Sequence, residues 1–249
     1  MSQEPAPSGP AWGFREVKVT PPERPYAYRS ISTLTYATIG LVGLNALVEL
    51  VQFAALLGQW RLLGQIRDHA FASQDAMDAA AHASDGFVAA AALLTLVTLV
   101  AAYVVSGFWI YNAACNVRAL GARGLQITPG WAVGWYAVPV ASLFRPFQAM
   151  AEIYRGSVAP SGWAQVKTPL LLRLWWAAWL LAGIGGYALA IAARSMSEVP
   201  DLILLTELQL ADAVVDITAA ALFLTVVWTV FRAQVLSQSQ NGQVAQVFA

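Results

Sequence analysis

Residues 131–144 read Trp-Ala-Val-Gly-Trp-Tyr-Ala-Val-Pro-Val-Ala-Ser-Leu-Phe, and whether they cross a bilayer decides the fold. The stretch is almost wholly apolar, but it holds only 14 residues. A helix needs roughly 20 to span the hydrocarbon layer. Pro139 sits inside the stretch, where proline removes one helical hydrogen bond and clashes with the preceding turn. A segment this short and broken is expected to re-enter the membrane or lie at its interface.

Working outward, four other stretches are long enough to cross. The first runs over about 31–57 and contains one acid, Glu49. The second covers about 87–111 inside the uncharged run 86–117. The third, 174–193, is uncharged between Arg173 and Arg194. The fourth, about 211–231, carries Asp212 and Asp216 near its start.

Charge placement separates the two topologies. If 131–144 does not cross, four spans leave both termini inside, with eleven Lys and Arg inside and three outside. If it does cross, the count becomes seven against seven. Cytoplasmic loops carry the excess of positive charge, which favours the first arrangement. The expected fold is therefore an all-α integral membrane protein with four transmembrane helices. A short, broken re-entrant or interfacial helix joins them over 130–157, and both termini are cytoplasmic.

Composition agrees. Of 249 residues, 58% are hydrophobic and 11% charged, against about 25% charged in soluble proteins; mean hydropathy is +0.57. Ten tryptophans suit membrane interfaces. Fourteen basic residues balance fourteen acidic ones, which points to no nucleic-acid partner. One cysteine, Cys115, excludes an intrachain disulfide and a multi-cysteine metal site. Residues 1–29 hold six of the twelve prolines and are expected to be an extended, disordered tail. No apolar run follows an early basic cluster with a small-residue cleavage site, so a removable signal peptide is not expected. In the tail Arg15, Lys18, Arg24 and Arg29 alternate with Trp12, Phe14, Tyr26 and Tyr28, a mixture that suits an anionic membrane surface, although a solvated linker beside the first span is the favoured reading. Residues 237–249 read as a polar C-terminal tail.

Two groups of residues are candidates for function. The first is Glu49, Arg194, Asp212 and Asp216, an intramembrane polar cluster. Asp212 and Asp216 are four apart and share a helix face, while Glu49 lies at similar depth. Acids inside a span are costly and commonly mark cation or proton pathways; the plainer reading is an ion pair that fixes helix register, or residues wetted at the membrane edge. The second is the cytoplasmic elbow. Asn112 and Asn116 share a helix face next to Arg118, ready to bond across spans. Gly130 and Gly134 form a small-xxx-small pair that permits close helix approach. Pro139, Ser142, Arg145 and Pro146 break the chain, and Glu152 and Arg155 follow three apart on a new amphipathic helix. Between the first two spans, residues 58–85 keep helical spacing. Asp68, Asp75, Asp78, His82 and Asp85 form a stripe there, read as a solvated face because one line of ligands does not converge on a metal.

The stretch Asn116…Pro129-Gly-Trp-Ala-Val-Gly-Trp-Tyr…Pro139…Leu143-Phe-Arg-Pro146-Phe-Gln-Ala-Met…Glu152-Ile-Tyr-Arg, followed by Trp175-Trp176, resembles a bacterial membrane family known as domain of unknown function 4328. The resemblance covers roughly residues 30–235 and is most specific over 116–157. Ser142 departs from it, since the family pattern often has Asn there, and this weakens a hydrogen-bonding role for that position. The resemblance implies a multi-span fold in the bacterial plasma membrane and brings no activity, substrate or catalytic residue.

No zinc-protease, nucleophile-elbow or phosphate-loop motif is present, so no catalytic residue, cofactor or metal is assigned. The leading expectation is a non-enzymatic structural or regulatory module in the lipid bilayer, whose elbow contacts anionic lipid or a protein partner. The alternative is a small transporter or channel with a cation or proton site at Glu49, Asp212 and Asp216.

Overall fold

A computed structural model describes residues 26–247, with side chains as far as residue 240. The proline-rich tail lies outside the described residues up to position 25. All regular structure among the described residues is helical. Six α-helices form: α1 (Ser32–Arg67), α2 (Gln74–Ala119), α3 (Pro129–Gly134), α4 (Arg145–Val158), α5 (Leu170–Ala192) and α6 (Val199–Val247). Short 3₁₀ segments flank the short ones at Trp135–Ala137, Ala141–Leu143 and Pro160–Gln165.

α1, α2, α5 and α6 are each long and apolar enough to cross a membrane, and residues 131–144 are not. The exposed faces of the four helices carry large apolar residues such as Leu47, Val97, Leu181 and Val214, as lipid contact requires. α6 continues through residue 247, so the segment expected as a separate tail extends the helix instead. Its run Ser-Gln-Ser-Gln-Asn-Gly-Gln-Val-Ala-Gln-Val contains no proline and four glutamines, residues that tolerate helix well.

α1 and α2 form one antiparallel hairpin. As residue numbers rise on α1 they fall on α2 through a ladder of polar contacts: Asn116 with the backbone of Arg29, Trp109 Nε1 to Thr35, Thr98 to Asn45, and Gln59 to Asp85. The hairpin turn follows from local chemistry. His69 takes a left-handed φ of 53°, and Ser73 caps α2 by accepting from the backbone N–H of Ala76, satisfying a donor that the helix start leaves free. At its far end α2 stops at Gly121, whose φ is 105°. There the Ala122 N–H bonds Val117 O and the Gly121 N–H bonds Arg118 O, the paired arrangement that glycine permits at helix ends.

α1 packs on both α2 and α6, and α5 packs on α6. The side between α2 and α5 is left for the elbow, residues 121–165. Thr128 caps α3 through the N–H of Trp131, with Pro129 in the first turn. The chain leaves helix at Val138, as the residue before a proline tends to. It reverses at Val140, a β-branched residue held at φ 63° with Ala141 N–H bonded to Pro139 O at 2.7 Å. It then re-forms helix at Arg145, with Pro146 in the first turn. The main apolar core lies at this end of the bundle: Trp109, Val117, Met150, Ile153, Leu172 and Val227 are all but fully buried there.

Candidate functional site

The elbow is fastened by a polar junction at the ends of α2, α4 and α6. Asn116, only 1% exposed, accepts from the backbone N–H of Arg29 at 2.9 Å and donates to its carbonyl at 2.8 Å. It also donates to Gln234 Oε1 at 3.0 Å. Gln234, fully buried, donates in turn to Ala113 O and to Ser157 Oγ, while Ser237 Oγ donates to Ser157 O. Every member is partnered, which is what a buried polar group requires. Gly156 makes the approach of α4 possible, since a Cβ there would stand 3.1 Å from Val117.

The remaining elbow residues act within the chain. Glu152 accepts from the backbone N–H groups of Gln126 and Ile127, both at 3.2 Å, and so pins the loop before α3. Arg118 donates to Ala114 O and Ile127 O and lies over the ring of Tyr26. Arg155 donates to Ala151 O and covers Trp163, and Arg145 donates to Gln148 and covers Trp135. Thus Glu152 and Arg155, three apart, hold different groups. Asn112 turns back onto Phe108 O of its own helix rather than across. Ser142 contributes its backbone N–H to Val138 O. Gly130 and Gly134 do not bring helices together: a Cβ on the first meets nothing, and on the second meets only Trp131. The residues that do so are Gly156 and, on α2, Gly107, where a Cβ would meet Val133 at 3.4 Å.

Between the four long helices and the elbow lies a cavity of about 600 Å³. Tyr103, Tyr136, Trp175, Trp179 and Phe223 give it aromatic walls, and Val133, Tyr136 and Ala137 of the elbow form one face. Its polar groups are Asn45, Ser106, the two tyrosine hydroxyls, Trp179 Nε1 and the carboxylate of Asp216. Across the opening between α2 and α5, Trp179 Nε1 donates to the Tyr103 hydroxyl at 3.2 Å. Tyr136 sets its ring edge-on to Trp179, and Trp179 stacks on Trp176.

Three of the four residues in the expected polar cluster come together. Glu49 on α1, 8% exposed, feels the charges of both Asp216 and Asp212. Asp216 stands in the cavity wall. Asp212, one turn away on α6, sits over the Gly185-Gly186 pair of α5, where a Cβ on Gly185 would come within 2.6 Å of its Oδ1. Arg194 does not join them: it is exposed in the turn after α5 and forms no ion pair. Among the described residues the only ion pair is Arg67 with its neighbour Asp68. Arg67, by hydrogen bond first and charge second, holds the Asp68 carboxyl below the usual range. That acidic stripe is exposed throughout. The turn 68–73 also takes Asp68 off the helix that carries Asp75, Asp78, His82 and Asp85.

Sequence reasoning missed Gln234, Ser157, Asn45, Tyr103 and Trp179. Only the Trp175–Trp179 spacing of four, which puts both rings on one face of α5, carried a signal for any of them. Neither the curated proteins nor the solved structures hold a match to the chain. The family model of the domain of unknown function DUF4328 matches residues 72–232, the two-thirds of the molecule that contains the elbow and most of the cavity wall, and the chain belongs to that family.

Proposed function

We propose that the chain is a multi-pass protein of a bacterial plasma membrane, with termini and elbow cytoplasmic, that binds a cation inside its bundle as a small transporter does. The observation that carries this reading is the cavity, which has one carboxylate in its wall and the elbow at one face. An acid inside a span carries a cost even toward the span's end, so it calls for a partner. Neither Glu49 nor Asp216 has one: among the described residues neither accepts a hydrogen bond or forms an ion pair. A bound cation or proton supplies the missing counter-charge.

In this reading residues 131–144 re-enter the membrane and close the cavity from the cytoplasmic side. Irregular backbone is tolerated at such depth when it lines a cavity. No three His, Cys, Asp or Glu side chains among the described residues converge on a metal position, which favours a proton or a monovalent cation. In proteoliposomes, Asp216→Asn and Glu49→Gln are each expected to reduce cation or proton flux to that of protein-free vesicles. Flux unchanged in both variants removes the reading.

A second reading is supported by Arg29, Arg123, Lys167, Arg173 and Arg232, which are exposed at the elbow end. Juxtamembrane cations near anionic headgroups are worth about 1 kcal/mol each. This is the structural or regulatory module that contacts anionic lipid or a protein partner, and its measure is the anionic lipid retained by the purified protein.

A further inference from the structure

We infer that the cavity takes a hydrophobic organic monocation, an aromatic amine or an onium ion, admitted sideways from the bilayer between α2 and α5. This deepens the cation-site reading and rests on it.

Size comes first. About 600 Å³ is the scale of small-molecule pockets, roughly 300–1,000 Å³, and far exceeds what a proton or a bare metal ion occupies. The walls decide the chemistry. An inorganic cation seeks several oxygens, but here one carboxylate stands among five aromatic rings, with Asn45 Oδ1 already accepting from Thr98. Aromatic faces attract a cation whose charge is spread and whose hydration is weak. An anion is repelled by Asp216, with Glu49 behind it. A neutral apolar guest leaves that carboxylate without a counter-charge.

The route follows from the packing. α1 seals the bundle against α2 and α6, and α5 seals it against α6. Between α2 and α5 the bond from Trp179 Nε1 to the Tyr103 hydroxyl is the one side-chain hydrogen bond among the described residues. Tyr103 is 49% exposed and lines the cavity. In this inference the guest enters where that ring and Trp179, with Tyr136 of the elbow edge-on to it, meet between α2 and α5.

The test uses full-length protein in nanodiscs of neutral phospholipid. Tetraphenylphosphonium binding is measured by equilibrium dialysis against protein-free discs. The expected result is saturable binding at one site per chain, not displaced by neutral triphenylmethane. Asp216→Asn is expected to weaken it about tenfold or more, and Ala220→Leu, which fills the cavity and leaves its charge alone, by a similar factor. The inference is overturned if folded protein binds no tetraphenylphosphonium above the lipid blank. It is equally overturned if Asp216→Asn binds as tightly, or if triphenylmethane displaces the cation, which marks a plain apolar pocket. If these fail while sodium or proton flux still depends on Asp216, the cation site stands and only the ligand class falls. If flux is insensitive as well, both fall.

Discussion

Gln234 is fully buried where α2, α4 and α6 meet, with both its amide nitrogen and its oxygen bonded. Replacing it with leucine leaves Asn116, Ser157 Oγ and Ala113 O each short of one partner. An orphaned buried polar group costs about 1–3 kcal/mol, so Gln234→Leu is expected to lower the thermal midpoint in micelles by several degrees. A midpoint equal to that of the parent chain would show that the junction adds nothing to stability. This residue also shows what can be seen in one dimension. Glu49 and Asp216 stand out because a charge inside an apolar run is visible without any fold. Gln234 is an uncharged polar residue just past the last apolar run, and its partner Asn116 is 118 positions away. Arg194 joins the acids in sequence only because it ends the third apolar run. It lies two residues past the end of α5 and faces outward, and helix-end position is where sequence reading is coarsest.

The elbow is the element whose outline was readable and whose purpose was not. Its breaks follow from Pro129, Pro139 and Pro146, each acting through the same loss of an N–H and fixed φ. Its anchoring does not, because Glu152 bonds backbone groups 25 and 26 positions back and any residue type can supply a backbone N–H. The arginines divide in the same way. Arg118, Arg145 and Arg155 are held by carbonyls, glutamine or aromatic rings of the chain itself, while Arg123, Lys167 and Arg173 are exposed. Lipid contact at the elbow is therefore argued for the second set. Changing Arg123, Lys167 and Arg173 together to glutamine is expected to lower phosphatidylglycerol retained by the purified protein by about half or more, given ~1 kcal/mol per cation. Retention equal to the parent chain would leave the elbow without a role in lipid binding.

At the scale of the whole molecule, the four helices long and apolar enough to cross were legible because length and hydropathy are properties of single segments. The order in which the helices pack was not, since neither α1 nor α6 has one distinct apolar face and either could have closed on α5. The arrangement found places α1 and α2 side by side with α6 behind, so the acids of α1 and α6 meet, and α2 and α5 flank an opening that the elbow fills. Sidedness governs what that opening means, and it is testable directly. With Cys115 replaced by alanine, single cysteines at Gln59, Ala159 and Ser197 report the end of α1, the end of α4 and the turn between α5 and α6. A membrane-impermeant thiol reagent on intact cells is expected to label positions 59 and 197 and to spare 159. Asp212 then lies toward the outer face and Asp216 deeper, with the elbow opposite, so that a cation moving through the cavity has an acid at its outer end and a breakable turn at Val140 at its inner one. If 159 labels and 197 does not, residues 131–144 cross the membrane, the excess of inner positive charge disappears, and α5 and α6 invert relative to α1 and α2. That outcome is incompatible with the antiparallel contact of α1 and α6, on which Trp60 reaches Glu207 at one end and Tyr36 meets Trp228 at the other. The labelling pattern and the helix pairing therefore stand or fall together, and with them the meeting of Glu49 and Asp216.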